Sequence, residues 1–553
     1  MCSLHMHYRM KHQWHYEWRG TLPKMTAGQA LIQSLYREGI RVIFGVPGVQ
    51  MYHATDPIID QPGMRFITVR HEQATAYMAD GFTRAGGGIG MAMVVPGPGL
   101  LNASAAIGTA FAASSPILVL SGQIQKDLIG VDRGILHEVN DQIDTIRPIT
   151  KAAYRIMEAN EVPAVVHEAF RQLKTGRPRP VEIEIPPETL AEVADIDLLE
   201  PGDYQRLPAD TQDVQLAADE IIASNNPLIW AGGGIFSSEA SNSLLNLAEF
   251  LQSPVMTTHE GKGAIPDSHY LSIGTLKSRS DDWRPMLKEY DLVIAVGTRF
   301  ATADLEESQR VIQIDIDPQE LGRNHRNTLG ITGDAKGTLE LLKNELEERT
   351  APRPNRRNEL EKIRTERFGP DLRIEPLDSY MRAIREAIPG DGILVAGMTQ
   401  MGYYSRLFYS VEQPNTYLNS SYFGNLGFAW PTALGAKVAQ PEKVVVCISG
   451  DGGFLFNSQE LATAVQYGIN AIVIVFNDNA FGNVMRDQEQ RFNGRIVGAE
   501  LHNPDFVKLA EAYGAIGVKV SDPDQLKIAI TNAINADLPT LIEVPMGPVE
   551  SPL

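Results

Sequence analysis

Cysteine is almost absent from this chain of 553 residues: Cys2 and Cys447 are the only two, and no C-x-x-C pair occurs. That excludes a disulfide framework and a paired-cysteine metal site. Cys447 lies inside an apolar run and reads as an inert small hydrophobe. Positive charge is also short. With 49 Lys and Arg against 68 Asp and Glu, the net charge is -19, the opposite of what a nucleic-acid backbone or an anionic membrane surface attracts. Membrane-spanning apolar runs are missing. The uncharged stretch 102–123 is rich in Ala, Gly and Ser and contains Pro116, so it reads as a buried helix followed by a strand. The long dinucleotide fingerprint G-x-G-x-x-G with a downstream acid is missing too. What remains is a cytoplasmic protein of ordinary globular composition, 43% apolar and 21% charged, long enough for three or four domains.

Residues 1–24 stand apart. They hold four of the twelve histidines (His5, His7, His12, His15) among aromatic and basic residues, without the apolar core of a secretory signal. We expect a disordered leader, or an upstream start before Met25, with metal binding by the histidines as the alternative. From Thr26 onward apolar runs alternate with helical patterns, the βαβ rhythm of parallel sheets whose active loops sit at strand C-termini. Three α/β domains are expected, at 25–190, 205–348 and 360–553, joined by polar or Pro-rich linkers near 195–212 and 349–358. An internal echo supports duplication. Adding 355 to each number of PGPGLLN (96–102) gives DGGFLFN (451–457), and the same offset places PILVL (116–120) on AIVIV (471–475).

The most informative stretch is 444–482. One apolar β-branched run ends in Gly450-Asp451-Gly452-Gly453, and a second ends in Asn477-Asp478-Asn479. Two parallel strands would bring these oxygen donors and glycines to one sheet edge, which suits a metal-bridged diphosphate. The segment resembles the GDG…NN signature of thiamine diphosphate (ThDP) enzymes, with 24 residues between Gly452 and Asn477. The family's second Asn, a side-chain metal ligand, is Asp478 here; Asn477 and Asn479 are alternative ligands. The resemblance covers nearly the whole chain from Met25. It implies three doubly wound parallel-sheet domains (pyrimidine-binding, central, diphosphate-binding) and a homodimer at least, more specifically a homotetramer, with sites shared between subunits.

The resemblance also assigns roles. Arg70-His71-Glu72, after MRFITV, resembles the site of the activating glutamate, which bonds the cofactor's aminopyrimidine and promotes loss of the thiazolium C2 proton. From composition alone Glu72 would be a solvated residue favoured by a helix dipole. Burial beside a neutral ring is expected to raise its pKa. Asp451, Asp478 and the Ala480 carbonyl would hold Mg2+, with Gly450, Gly452 and Gly453 on the diphosphate and Phe481 and Gly482 beside them. Gly424 and Leu426, in SSYFGNLGFAWPTALGA (420–436), resemble the segment that bends the cofactor. Thr399, Gln400 and Met401 stand where the family contacts diphosphate and pyrimidine, and Pro47 and Asn102 lie in GVPG (45–48) and GPGLLN (97–102).

Those two motifs and RPITKAAYRI (147–156) resemble the acetolactate synthase branch. Its usual Phe-Gln pair is replaced in register by His137-Glu138, and the Trp of its lid is absent from NVMRDQEQRF (483–492). His137 is either an acid/base group near pH 7 or a satisfied loop histidine, and Glu138 is equally open. The resemblance implies decarboxylation of a 2-oxo acid followed by carboligation. The alternative is a simple decarboxylase or C–C lyase, and behind it stand an FAD-dependent oxidase and a silent ThDP-fold protein. The central GGG (232–234) is a weak nucleotide signal, so a merely structural central domain is expected rather than an FAD site.

Overall fold

Every strand of the three large sheets is parallel to its neighbours, and most central strands are buried on both faces. Residues 91–94, 118–122 and 181–185 are inaccessible throughout. That is why residues 91–94 and 118–120 read as continuous apolar runs; Val181–Ile185 alternates instead, with Glu182 and Glu184 held inside by Ser121, Gln123, Gln142 and Arg155. The structure is a computed structural model in which residues 23–275, 284–301, 305–547 and 549 are described. The expected leader therefore lies outside the described residues, apart from Pro23 and Lys24. Lys24–Thr26 pairs antiparallel with Val193–Asp195.

The first sheet runs Arg65–Thr68, Val42–Gly45, Met91–Val94, Leu118–Gly122, Val181–Ile185, Ala152–Arg155. The third runs Tyr417–Asn419, Ile393–Ala396, Val445–Gly450, Ile472–Asn477, Thr540–Pro545, Ile516–Lys519. Counted along the chain, both have the order 2-1-3-4-6-5. The internal echo is thus a shared topology, and the 355-residue offset sets Leu118–Gly122 onto residues 473–477 of Ile472–Asn477. One difference between the copies bears on the site: the continuous helix Pro98–Ala112 corresponds to two pieces, Asp451–Leu455 and Glu460–Tyr467. The middle sheet has the order 3-2-1-4-5-6, that of dinucleotide-binding domains.

First and third domains share one apolar core, joined by helix Glu72–Arg84 lying against helix Ala429–Ala439. The first of these starts at His71, whose Nδ1 accepts the Gln73 N–H at 3.1 Å, with Glu72 in the first turn and Arg84 in the last, where the dipole favours them. The contact is close enough to need glycine reciprocally. A Cβ on Gly81 would stand 2.0 Å from the Thr432 carbonyl oxygen, and one on Gly435 would stand 2.0 Å from that of Met78. Tyr77 packs edge-on against Phe428 with centroids 5.7 Å apart. Gly81→Ala is therefore expected to destabilise the protein by about 1–3 kcal/mol despite alanine's better helix propensity. A thermal melt at or above that of the unsubstituted protein would contradict this packing.

Candidate active site

In a doubly wound sheet, ligands bind where neighbouring strands send their crossovers to opposite sides. For the first and third sheets that switch point lies between the first and third strands of each. In the first domain, the strands Val42–Gly45 and Met91–Val94 deliver Val46-Pro47-Gly48 and Val95-Pro96-Gly97 to it. In the third, Ile393–Ala396 and Val445–Gly450 deliver residues 397–400 and 450–453. The sequence-selected segments therefore collect at the two places the topology reserves for ligands.

At the first-domain edge, Glu72 is half-buried at its helix start, and its Oε2 accepts the Asn102 amide at 3.0 Å. Pro47 is exposed on the neighbouring loop. Above them lies the loop carrying His137 and Glu138. His137 holds φ at +70°, and its Nδ1 lies 3.2 Å from Gln50 Oε1. The amide oxygen can only accept, so Nδ1 carries the proton and Nε2 is left as the basic nitrogen in the neutral ring. Gly97 has φ +58°, and a Cβ there would meet the His137 carbonyl oxygen at 2.3 Å, so only glycine lets the loop descend this far. Glu138 accepts the N–H groups of Arg133 (3.2 Å) and Ile135 (3.0 Å), and the Ile135 bond holds its carboxyl below the usual range. It closes its own turn.

Gln142 escapes notice in the sequence but fastens this loop. Only 1% exposed, it accepts the Gly97 N–H at 2.8 Å and donates to Ser121 Oγ, the Gly122 carbonyl and Glu184 at 2.9, 2.9 and 2.8 Å. Every polar atom of its amide is used. Such an anchor is a long-range contact with no local signature.

At the third-domain edge, Asp451 is buried and opens helix Asp451–Leu455. Asp478 faces it. Burial, then the Asp451 charge, pushes the Asp478 carboxyl up to about 6, as two facing carboxyls do. A Cβ on Gly482 would stand 2.2 Å from Asp478 Oδ2, and one on Gly452 would meet the Phe481 ring at 2.5 Å. Residue Ala480 bridges Glu500 antiparallel, with Phe481 N–H to the Ala499 carbonyl and Leu501 N–H to the Asn479 carbonyl, both 2.8 Å. Ala480 is thus the non-hydrogen-bonded member of the pair. Its own N–H and C=O point to the other side, where the N–H meets Asp478 Oδ1 at 3.2 Å. Of the alternative ligands, Asn477 is tied to Glu543 at 2.8 Å. The sequence did not single out Asn503, whose amide reaches Asp451 Oδ2 at 2.5 Å and Asn477 Oδ1 at 2.9 Å from a loop further along the chain.

Thr399 caps helix Gln400–Phe408, and its Oγ1 lies 3.3 Å from where a Gly450 Cβ would be. Gln400 Nε2 reaches Asn483 at 3.4 Å, while its Oε1 is buried with no hydrogen-bond partner, an acceptor aimed at a site that needs a donor. The Met401 side chain is fully buried in the core behind the sheet, leaving only its backbone at the edge. Gly424 is left-handed, at φ +64°, and Leu426 Cδ2 approaches the Gly453 Cβ position to 3.7 Å. Among the described residues no three His, Cys, Asp or Glu side chains form a metal cluster. Two carboxylates and one carbonyl nevertheless suit Mg2+, which takes few protein ligands and completes its shell with phosphate oxygens and water.

The middle domain holds a cavity of about 630 Å³ at its own switch point. Gly233 and Gly234 line it after the first strand, Gly297 to Phe300 after the fourth, and Arg177, Arg206 and Arg406 surround them. Asp315, at the end of Arg310–Asp315, is pushed up to about 6 by burial. The expectation of a merely structural domain misses this cavity. Strand order creates it, and a short glycine run does not announce strand order.

With this geometry in place, comparison with known proteins is direct. The N-terminal, central and C-terminal domains of thiamine pyrophosphate enzymes match residues 25–145, 214–342 and 396–544. A probable acetolactate synthase large subunit of Methanocaldococcus jannaschii is 36% identical over 95% of this chain and 93% of its own. The acetolactate synthase large subunit of Haemophilus influenzae is 31% identical, over 93% of each chain. A probable 2-ketoarginine decarboxylase of Pseudomonas aeruginosa is 32% identical over 96% of this chain and 97% of its own. The chain belongs to the thiamine pyrophosphate (ThDP) enzymes, in their acetolactate synthase-like branch.

Proposed function

We propose that this enzyme decarboxylates a pyruvate-like 2-oxo acid and joins the remaining fragment to a second carbonyl compound, with Mg2+ anchoring ThDP. The observation that carries this reading is the facing pair Asp451 and Asp478 at the switch point, set beside the glycine turn 450–453. In the reading, Asp451, Asp478 and the Ala480 carbonyl hold the cation, and Gly452 and Gly453 lie along the diphosphate. Leu426 and Gly424 support the cofactor's bend, with Thr399 and Gln400 on its flank. When bound, ThDP supplies the electron sink for the carbon that loses CO2. Glu72, oriented by Asn102, exchanges a proton with the cofactor's aminopyrimidine. In this reading the site is shared between subunits of a homodimer, or of a tetramer built from it, with Glu72 serving the partner's cofactor. The central cavity takes no step in this reading, so a flavin is not required and the purified protein is expected to be colourless.

A simple decarboxylase is the second reading, favoured by one observation. His137 has Nδ1 engaged by Gln50, which leaves Nε2 free to take up a proton and, as the imidazolium, return it to the fragment left by CO2 loss. Glu138 serves the turn in either case. Incubation with pyruvate and other 2-oxo acids, with and without acceptor aldehydes, separates the readings: acetolactate or another ligated product supports the first, and free aldehyde alone the second. Glu72→Gln is expected to abolish exchange of the C2 proton of bound ThDP, and wild-type exchange would remove Glu72 from the mechanism. Asp478→Asn removes one of two facing charges. At neutral pH the cofactor-free variant is expected to gain on the order of 1 kcal/mol, because an Asp held up to about 6 costs stability once ionised. The same variant is expected to bind Mg2+ several-fold more weakly, as read by titration of cofactor retention against Mg2+.

A further inference from the structure

We infer that Glu460 is a positioning residue for Glu72: from the third domain, its carboxylate anchors the stretch of backbone on which the Glu72 helix begins. Glu460 is wholly buried. Its Oε1 accepts the N–H groups of Arg70 and His71, each at 3.1 Å, and its Oε2 accepts the Arg70 N–H at 3.1 Å and the Thr463 hydroxyl at 2.6 Å. His71 is the cap of helix Glu72–Arg84, so the carboxylate holds the two residues immediately before Glu72. The surrounding contacts have the same target. Asn457 Nδ2 bonds Gln73 Oε1 at 3.3 Å and the Gly427 carbonyl at 2.7 Å, and the Tyr467 hydroxyl accepts the Thr68 N–H at 2.9 Å. One face of residues 457–467 thus grips residues 68–73.

The choice of a carboxylate here is costly. A buried charge is tolerated only when fully hydrogen-bonded, and the Arg70 guanidinium turns away to the Thr68 carbonyl and Gln466. Burial lifts the Glu460 carboxyl to about 7, while Thr463, Arg70 and His71 pull it back. An acceptor-only group takes all of these donors as they stand, whereas an amide would have to turn the Thr463 hydroxyl round to accept and would leave the two N–H groups a single neutral oxygen in place of a charged carboxylate. The helix dipole adds attraction from the same direction. Glu72 is the first residue of that helix, and among the described residues Asn102 is the one hydrogen-bond partner of its carboxylate, so the aim of Glu72 depends on where this backbone is held.

The inference rests on Glu72 as the proton-exchanging group, and the test separates the two claims. Glu460→Gln is compared with wild type and Glu72→Gln by three measurements. These are peptide-resolved amide hydrogen exchange of the cofactor-free protein, ThDP binding, and C2-proton exchange of bound ThDP alongside kcat and KM. Glu460→Gln is expected to speed amide exchange in residues 68–75, to keep ThDP affinity and KM within about twofold, and to lower C2 exchange and kcat about 10- to 100-fold, as a misaimed catalytic group does. Thr463→Val, which removes one donor and spares the carboxylate, is expected to act in the same direction by a smaller factor and decides the matter if Glu460→Gln does not fold. Wild-type C2 exchange in the Glu460 variant, or a loss confined to thermal stability with amide exchange of 68–75 unchanged, overturns the inference while leaving Glu72 in place. Wild-type C2 exchange in Glu72→Gln overturns both.

Discussion

The close crossing of helix Glu72–Arg84 over helix Ala429–Ala439 is the contact on which the site geometry depends. Gly81 and Gly435 let each backbone touch the other's carbonyl, and the two domains bury one continuous core because of it. Rigid packing at this seam fixes more than stability. Interiors are too dense to slide, so the approach that locks the helices also sets residues 457–467 beneath the start of the Glu72 helix. A wider seam would leave the Glu460 carboxylate without its N–H partners and the Glu72 backbone without its anchor.

The acidic side chains around the site divide by how their charge is met. Glu460 is buried but has hydrogen-bond donors on both carboxyl oxygens, all supplied within the protein, so it suits a permanent structural duty. Among the described residues Asp451 and Asp478 meet Asn503 and nearby backbone N–H groups, and burial, then the Asp451 charge, raises the Asp478 carboxyl. That unrelieved charge is what a divalent cation would remove. An Asn at position 478 would relieve it in advance; in the proposed reading the Asp found here keeps it for the metal.

Much of this was legible in the sequence because it is local. The strand runs, the helix from Glu72 to Arg84, the duplication, and the turns at 450–453 and 477–482 all lie within short windows whose residue types name their conformation. The rest depends on what comes together from far along the chain. Gln142, Asn503 and Glu460 are ordinary polar residues in their own neighbourhoods, and each gains its part from distant partners, 20 to 390 residues away. The central cavity was illegible for a different reason: sheet order makes it, and a chain reading shows strands without their neighbours. The pair His137-Glu138 illustrates both limits, since the sequence left each residue open while geometry separates a turn-closing carboxylate from an imidazole with one free nitrogen.

The two copies of the 2-1-3-4-6-5 sheet have diverged where their duties differ. In the first domain helix Pro98–Ala112 runs unbroken and contributes Asn102 to Glu72. In the third the corresponding stretch breaks after Leu455, and Asn457 occupies the gap, buried, with its amide on Gln73 and the Gly427 carbonyl. An unbroken helix would carry residues 457–460 onward along its own axis. The break redirects them to the neighbouring domain, and the short turn it leaves, 451–455, is free to sit at the switch point with Asp451 at its head. One local interruption in the third domain's helix therefore accounts for both the turn headed by Asp451 and the grip on residues 68–73.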